Sequence, residues 1–502
     1  MKRGASVSMI KRRQFLGTAF AGMGGLLAGF GGGSSAQGML ARRPLGGVAL
    51  PEGDPLDDLS VLRNESSDPD EFRGTLVAAP TPATLIPGTS TAMWLYNGAV
   101  PGPLLEFVEG QHVTIRFDNR LPLDTTVHWH GLLVPPDQDG NPMDPVRPGA
   151  SRIYEFDVPA GTAGTYWYHP HAHQSVAEQV ARGLAGPLII RDDEDPLAHI
   201  PEVTMFVSGL RLDGNAQISA NNAMDGMLGR QGEALLVNGG RRPVHTVRPG
   251  TTQRWRILNA TSARYLRIAL DGHTLTLVGT DGGLLAAPIA GLPEILIAPA
   301  QRIEVLVTLN ATPNARYRLR ALHYEPGFMG TTSMVRGDEL LTLATTAEPS
   351  AAPALIPPAL RPLPGLDVPG ARQRIKLSQG MGMGMMGGGL PGFLINGRSF
   401  DMNRVDLKTV QGRVELWDIV NTTSMDHPFH IHGTQFQLVS REAAGVVTPA
   451  PYLAWLDTVN VPARQSATIK VRQTMPGKRM FHCHILEHED AGMMGVLDVR
   501  PR

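Results

Sequence analysis

The chain has 502 residues, which is enough for two to four domains of ordinary size. Its 45 basic and 46 acidic residues leave a formal net charge of -1, so there is no electrostatic basis for binding nucleic acid or an anionic membrane surface. The 57 glycines and 41 prolines, together with 42% hydrophobic residues, favour many short strands joined by turns over long helices.

The N-terminal residues predict an export signal. The segment KRRQFLG at 11–17 is a twin-arginine pattern, and a weakly apolar stretch rich in Gly and Ala follows it. That stretch is too poor in Leu, Ile and Val for a transmembrane helix, so we expect no stable membrane insertion. We therefore predict export to the periplasm by the twin-arginine machinery; the alternative is a chance arginine pair at a disordered terminus.

Three blocks of the chain share one pattern. Each begins with an Asn-Gly turn, at 97–98, 238–239 and 396–397, and continues through a second turn into a strand of alternating polarity. This repeat predicts an all-β fold of three Greek-key β-sandwich domains. The predicted divisions are a signal peptide (1–36), an extended arm or linker (37–70), domain 1 (71–195), domain 2 (200–350), a linker with a Met-rich segment (351–392) and domain 3 (393–502).

Most of the 16 histidines fall into four short clusters. Side chains two positions apart on a strand share a face, so His128 and His130 should point the same way. By the same rule His430 and His432 share a face, while His427 tends to the opposite one. The clusters are His128/His130, His169/His171/His173, His427/His430/His432 and His482/His484/His488.

Cys483 is the only cysteine of the chain, so it cannot form an internal disulfide. In a strand its side chain would face one way while those of His482 and His484 face the other, so one strand would touch two metal centres. A thiolate, nearby imidazoles and the thioether of Met493 form the ligand set of a blue-copper site. The alternative, a buried cysteine beside chance histidines, does not account for this density of ligands.

These four motifs resemble those of the multicopper oxidases, the family of laccases and bacterial copper-efflux oxidases. The resemblance covers nearly all of the chain after the predicted signal and implies cupredoxin-like domains that hold four copper ions. It implies a type 1 (blue) copper held by His427, Cys483 and His488, with Met493 as the axial ligand. It also implies a trinuclear cluster, with His128 and His430 on the type 2 copper and His130, His169, His171, His432, His482 and His484 on the type 3 pair.

The middle block has no His-x-His pair at the corresponding position, 265–273, so we expect domain 2 to be a spacer. The cluster is then expected at the interface of domains 1 and 3, because both supply ligands. His173 matches an additional histidine of the copper-efflux branch and is not expected to hold copper. The remaining histidines are expected on the surface or hydrogen-bonded in the core: His112, His199, His245, His273 and His323.

The resemblance also implies the chemistry: one-electron oxidation of a small substrate coupled to reduction of dioxygen to water. The electrons would pass from the type 1 copper through Cys483 and its flanking histidines to the cluster. Asp139 and Glu489 match carboxylates that serve proton delivery in similar copper-efflux oxidases. The alternative for them is an ordinary loop aspartate and a surface glutamate. We expect the protein to be a monomer.

The methionines before domain 3 are candidates for substrate binding. Met383, Met385 and Met386 lie in a glycine-rich run, and thioethers are soft ligands that bind Cu(I). The run is shorter than the methionine-rich insert of the copper-efflux branch. The alternative is a flexible surface loop without a role in binding.

Met425 and Asp426, next to His427, are further candidates, because a carboxylate can hold a metal ion or accept the proton of a phenol. Thr423 stands where the copper-efflux branch usually has an aspartate. Three hypotheses follow: a laccase-type oxidase of phenols and aromatic amines, a dedicated cuprous oxidase, and a scaffold protein without catalytic activity. The retained ligands argue against the third, and the short methionine run and Thr423 favour the first.

Overall fold

The computed structural model describes residues 49–327, 337–380 and 392–502. Within these ranges the regular structure is almost entirely β, with helices of only five or six residues, so the all-β prediction is confirmed. None of the helices described has the length and hydropathy that a membrane-spanning segment needs. The predicted signal peptide and Met383, Met385 and Met386 lie outside the described residues.

The first pair of sheets is built from residues 71 to 191. Its elements are β1 (Glu71–Ile86), β2 (Thr89–Tyr96), β3 (Leu105–Val108), β4 (His112–Asn119), β5 (His128–His130), β6 (Ser151–Asp157), β7 (Gly164–His169), α1 (Val176–Ala181) and β8 (Gly186–Arg191). The sheet orders are β2-β1-β4-β6 and β3-β8-β7-β5. Alternate residues of β4, Val113, Ile115 and Phe117, are buried in a core shared by both sheets. This period of two is the one that the sequence predicts for a strand with one buried face.

The second pair of sheets covers residues 202 to 345. Its elements are β9 (Glu202–Leu210), α2 (Ala223–Leu228), β10 (Ala234–Val237), β11 (Gly240–Arg241), β12 (Val244–Val247), β13 (Thr252–Asn259), β14 (Leu266–Leu270), β15 (Leu275–Thr280), β16 (Gly283–Leu292), β17 (Ile295–Ile297), β18 (Arg302–Thr308), β19 (Arg316–Leu322) and β20 (Asp338–Thr345). The orders are β11-β10-β9-β13-β18-β15-β16 and β12-β20-β19-β14-β17.

Strand β13 is buried on both faces, although its sequence alternates between polar and apolar residues. Trp255 and Ile257 lie in the hydrophobic core. Arg254 and Arg256 on the other face form ion pairs with Glu304, whose Oε1 also accepts a hydrogen bond from Thr165 Oγ1 of β7 at 2.9 Å. The charged face is therefore packed against the first pair of sheets.

The third pair of sheets covers residues 371 to 500. Its elements are β21 (Ala371–Gly380), β22 (Gly392–Ile395), β23 (Leu407–Val410), β24 (Val414–Asn421), β25 (His427–Ile431), β26 (Phe436–Ala443), β27 (Val446–Pro449), β28 (Thr458–Val461), β29 (Ser466–Arg472), β30 (Gly477–Cys483), α3 (Leu486–Asp490) and β31 (Met494–Arg500). The orders are β22-β21-β24-β29-β26-β27 and β23-β31-β30-β25-β28. Strand β25 lies between β28 and β30, which places two of the histidine clusters on neighbouring strands.

The described part of the predicted arm pairs with both of the first two sheet pairs. Leu56 N donates to Val244 O of β12 at 2.9 Å, and Leu62 N donates to Leu104 O at 2.9 Å. The side chains of Leu56 and Leu62 also pack against the two cores. Hydrogen bonds and apolar contacts therefore attach these described residues to the first two pairs of sheets.

Candidate metal centres

Strand β5 separates the first histidine pair from the hydrophobic core. Trp129 is fully buried in that core, with its ring centroid 5.4 Å from that of Tyr154. His128 and His130 point to the other face, where their ring centroids are 5.6 Å apart. The strand alternation that the sequence predicts therefore holds at this motif.

Eight histidines converge between the first and third pairs of sheets. The register of β5 with β7 places His128 opposite His169, and the register of β25 with β30 places His430 opposite His482. Rings from the first pair of sheets stack on rings from the third. The ring centroids of His130 and His430 are 3.9 Å apart, and those of His128 and His432 are 3.7 Å apart. All eight are fully buried: His128, His130, His169, His171, His430, His432, His482 and His484.

Three ring nitrogens of this group approach one point. His171 Nε2 lies 3.2 Å from His482 Nε2, and His432 Nε2 lies 3.1 Å from each of the other two. Three imidazole nitrogens can share such a point only around a cation or a proton, because two lone pairs at this distance repel each other. This triad is one of several groups of buried side chains with the spacing of metal ligands.

Most of the other rings are anchored by one nitrogen, while the second nitrogen has no partner. A backbone carbonyl can only accept, so the ring nitrogen facing it carries the hydrogen and the opposite nitrogen has a free lone pair. The buried Nε2 atoms of His128, His169 and His430 are without partners in this way. The anchoring contacts are His128 Nδ1 to Asp139 O (3.0 Å), His169 Nδ1 to Pro170 O (2.8 Å) and His430 Nδ1 to Asp457 O (2.9 Å).

His130 is oriented the other way round. Its Nε2 lies 3.0 Å from Asp457 Oδ1, and its buried Nδ1 has no partner. Leaving this many buried nitrogens without hydrogen bonds would cost about 1–3 kcal/mol each. A bound metal accounts for a set of lone pairs directed into one enclosed space. Metal-binding histidines are in general oriented by a hydrogen bond from the other ring nitrogen to a carbonyl or carboxylate oxygen, as these rings are. The residues therefore fit the copper that the sequence motifs imply.

Burial keeps six of these rings uncharged. Desolvation, together with the neighbouring histidine rings, lowers the pKa of His430 to about 4 although Asp457 opposes the shift. Neutral imidazole is the form that binds metal. Desolvation is also the main reason that the pKa values of five further rings are well below normal: His130, His169, His171, His432 and His484.

Cys483 lies on the opposite face of β30 from the histidine group. Its Sγ is 3.3 Å from His427 Nδ1 and 3.9 Å from His488 Nδ1, and all three side chains are fully buried. Met493 is also fully buried, and its backbone oxygen accepts a hydrogen bond from Cys483 N at 3.0 Å. Burial raises the pKa of the thiol, so a nearby cation is needed to hold the thiolate.

Hydrogen bonds fix the tautomers of the two histidines beside Cys483. His488 Nε2 lies 3.2 Å from Met227 O, so it donates, and burial lowers the pKa of His488 to about 3. His427 Nε2 lies 2.9 Å from Thr423 Oγ1, whose own hydrogen is directed to the carbonyl oxygens Asn421 Oδ1 (2.8 Å) and Met425 O (2.9 Å). Both rings therefore present an unprotonated Nδ1 to the sulfur.

Asp139 lies in a turn and Glu489 in α3, and each is only 1% exposed, so neither is a solvent-exposed carboxylate. Asp139 Oδ1 lies 3.1 Å from His128 Nδ1, and its Oδ2 lies 3.1 Å from His432 Nδ1. Glu489 Oε2 lies 3.2 Å from His482 Nδ1, but neither of its oxygens has a hydrogen bond of good geometry. Glu489 Oε1 also lies 3.3 Å from His171 Nε2, so both carboxylates are in direct contact with the histidine group.

The predicted substrate residues Met425 and Asp426 are buried, at 1% and 4% exposure. Asp426 Oδ2 accepts hydrogen bonds from Tyr324 Oη at 2.7 Å and Asn460 Nδ2 at 3.0 Å, and its Oδ1 accepts one from Ala463 N at 2.9 Å. Burial raises the pKa of Asp426, and these hydrogen bonds oppose the shift. Tyr324, which is partly exposed, therefore separates the carboxylate from solvent.

The histidines that are not expected to hold copper lie away from both groups. His173 is partly buried, and its ring centroid lies 5.0 Å from that of Phe400. The other contacts are His112 with Asp157, His199 with Leu355 O, His245 with Gln253, His273 with Asp271 O, and His323 with Glu325.

Three residues at these centres were not found from the sequence. Asp457 contacts both His130 and His430, and Arg302 pairs with it. Burial raises the pKa of Asp457, but the charge of Arg302 and the contact with the His130 ring outweigh this effect and leave the pKa well below the normal value. Phe393 stacks on His488 at 3.7 Å and was also missed. None of the three lies in a motif, so no local signal marks them.

Comparison with known proteins places the chain in a family. Models described as multicopper oxidase match residues 78–195, 164–337 and 373–502. A curated relative, the multicopper oxidase mco of Staphylococcus aureus, is 32% identical over 80% of this chain and 83% of its own. The chain belongs to the multicopper oxidase family, whose members bind copper and use dioxygen with a reducing substrate.

Solved structures and a further relative show the range of the family. The chain is similar to a multicopper oxidase of Campylobacter jejuni described as a metallo-oxidase, with 40% identity, a TM-score of 0.84, and 90% of this chain and 96% of that one covered. It is also similar to a laccase of Pediococcus acidilactici, with 31% identity, a TM-score of 0.77, and 90% and 94% covered. The cell division protein FtsP of Proteus mirabilis is 30% identical over 82% of this chain and 86% of its own.

Proposed function

We propose that this protein is a laccase-type oxidase that couples one-electron oxidation of phenols and aromatic amines to the reduction of dioxygen to water. Four substrate molecules each give one electron and one proton, and one dioxygen takes up all of them to form two waters. The observation that carries the proposal is the set of buried, unpartnered ring nitrogens next to the group of His427, Cys483 and His488. Copper, when bound, supplies one-electron acceptance at one centre and multielectron reduction of dioxygen at the other.

We assign four copper ions to these side chains. His427, Cys483, His488 and Met493 would hold the type 1 copper, and His128 and His430 the type 2 copper. The type 3 pair is assigned to His130, His169, His171, His432, His482 and His484. The backbone around Cys483 joins the two groups directly, because its neighbours in sequence belong to the other group. A scaffold role without catalysis would leave these side chains without a reason to be kept.

The carboxylates are assigned to proton handling. Asp139 faces the outer nitrogens of His128 and His432, and Glu489 faces that of His482. Each can hold a proton within hydrogen-bond reach of the cluster while the surrounding protein excludes bulk water. We further propose that the protein is exported to the periplasm by the twin-arginine route and acts there as a monomer.

The environment of His427 favours small organic substrates. The described residues beside it are buried, and the oxygens of Asp426 are already hydrogen-bonded. A phenol needs only to approach the protein surface closely above His427. Cu(I), in contrast, needs soft or anionic ligands that are free to bind it. Neither Met425 nor Asp426, the two residues that precede His427, offers such an exposed ligand.

The test compares the copper-loaded protein with its His430→Ala variant. We expect the wild type to consume oxygen with a phenol. The variant should stay blue and be reduced by the phenol, but it should lose nearly all oxygen consumption, because the type 2 copper loses one of its two protein ligands. Metal analysis should show copper loss from the cluster alone. Full oxygen consumption by the variant would contradict the assignment.

A cuprous oxidase is the second candidate, because the Campylobacter jejuni relative is described as a metallo-oxidase. Replacing Met383, Met385 and Met386 by leucine keeps the apolar volume and removes the sulfur ligands. A selective loss of Cu(I) oxidation, with phenol oxidation unchanged, would favour this candidate. Met425→Leu, at a buried site, is the matched control for loss of a thioether that is not exposed.

A further inference from the structure

Arg302, the first residue of β18, reaches from the second pair of sheets to a residue of the third. Its side chain is fully buried, and so is that of Asp457. Nη1 donates to Asp457 Oδ1 at 2.9 Å, and Nη2 donates to Asp457 Oδ2 at 2.5 Å. This is a two-point contact between a planar guanidinium and a carboxylate, which fixes the orientation of both groups.

Every N–H group of this guanidinium has an acceptor. Besides the two bonds to Asp457, Nε donates to Thr165 O at 2.8 Å, Nη1 to Ala300 O at 3.1 Å and Nη2 to Asp281 O at 2.9 Å. Thr165 belongs to β7 in the first pair of sheets. A side chain from the middle of the chain is therefore held rigidly where all three sheet pairs meet.

Asp457 transmits this position to two histidines of the candidate cluster. Its Oδ1 accepts from His130 Nε2 at 3.0 Å, and its backbone oxygen accepts from His430 Nδ1 at 2.9 Å. The two rings stack with an interplanar angle of 17°. His130 comes from the first pair of sheets and His430 from the third, so Asp457 sets their orientation relative to each other.

The carboxylate is most important for His130. Of the anchored rings, those of His128, His169 and His430 are held at Nδ1, whereas His130 is held at Nε2 and presents Nδ1 to the enclosed space. This tautomer needs an acceptor at Nε2. Asp457 is itself close enough to the two histidines to count among the possible ligands of a metal ion. Arg302 occupies both of its oxygens, and a second cation there would be repelled.

We propose that Arg302 is a positioning residue for the trinuclear cluster, acting through Asp457 to fix the orientation and tautomer of His130. The middle pair of sheets then contributes to the metal centre, and it is more than the spacer that its lack of histidine motifs predicts. This inference rests on the proposed function, because it assumes that the histidine group binds copper.

The test measures copper binding rather than turnover. Arg302→Met keeps an unbranched aliphatic stem but removes the guanidinium and with it the two-point contact. We expect the type 1 site to keep its blue colour, while the affinity of the cluster for copper, measured by competition with a chelator, falls about 10–100-fold. Arg302→Lys keeps the charge but not the planar geometry, so its affinity should lie between those of the wild type and Arg302→Met. If the methionine variant does not fold, the lysine variant alone tests the positioning role.

Arg254→Met is the matched control. Arg254 is equally buried in the same sheet and pairs with Glu304 and Asp195, and none of its described hydrogen bonds is to a histidine. Its variant should bind cluster copper as the wild type does, whatever the cost to folding stability. If Arg302→Met or Arg302→Lys holds cluster copper as tightly as Arg254→Met, the positioning role is wrong. If the wild type itself takes up no copper at the cluster, the proposed function fails instead.

Discussion

The hydroxyl of Thr423 lies 2.9 Å from Nε2 of His427, on the side of the ring that faces away from Cys483. Because the hydrogen of Thr423 is directed to the carbonyl oxygens of Asn421 and Met425, its hydroxyl oxygen accepts from the ring, and the lone pair of Nδ1 is left for the metal. A neutral hydroxyl thus orients the His427 ring, at the position where the copper-efflux branch usually has an aspartate.

Thr423→Val should weaken type 1 copper binding. Valine has nearly the same shape but cannot accept the hydrogen of His427 Nε2, so the buried N–H loses its partner. We expect a fall in copper affinity of about 10-fold or more, measured by titrating the metal-free protein and following the blue colour. Thr423→Ser, which keeps the hydroxyl, is the control and should behave as the wild type. Equal affinities for the two variants would show that the hydrogen bond has no orienting role.

Cys483→Ser should abolish both the blue colour and substrate oxidation. The colour of such a site comes from a soft, covalent thiolate ligand that a hydroxyl cannot replace. The cluster histidines lie on the other face of β30, so the variant should still bind copper there, as metal analysis would show. A variant that remains blue with copper bound would rule out the type 1 assignment.

Met493→Leu should leave the blue site intact and raise its reduction potential. A weak axial thioether donates some electron density, and its removal favours the reduced state. The side chain is fully buried, and leucine fills a similar volume, so folding should change little. The potential is measured by redox titration of the blue band. A lower potential, or loss of the copper, would count against Met493 as the axial ligand.

Glu304→Gln should destabilise the metal-free protein by about 3–5 kcal/mol, because it leaves two buried arginines with an incomplete partner. Burial raises the pKa of Glu304, but Arg254 and Arg256 lower it more, to about 2. The folded pKa is below the unfolded value of about 4.3, so the contribution to stability is complete above that pH and is lost as the pH falls towards 2.

Denaturant unfolding between pH 2 and pH 6 measures both effects of the Glu304 substitution. The variant should be less stable at pH 6 and should show a weaker dependence on pH below about 4.3. Glu294→Gln removes a carboxylate that pairs with Arg267 on the surface, and it is expected to change stability little. If the two variants lost equal stability, burial of the Glu304 network would not be the cause.

The motifs predicted much of the fold and the candidate site because strand alternation is a local property. His482 and Cys483 lie on the two faces of β30, which ends at Cys483, and His427 separates from His430 in the same way on β25. The repeated Asn-Gly turns likewise predicted the all-β fold without information on tertiary contacts. These inferences need only neighbours along the chain.

The sequence by itself determined which residue types stand at the candidate centres and which of them share a strand face. Only the tertiary structure decided what stands behind them: Arg302 lies 155 positions from Asp457, which in turn lies 327 positions from His130. It also decided that Asp426 is closed off by Tyr324, 102 positions away. The physical reason is that spacing along a strand fixes the face on which a side chain lies, whereas its partner across an interface depends on how separate sheets pack. Nothing in the local pattern around Arg302 or Asp457 records that packing.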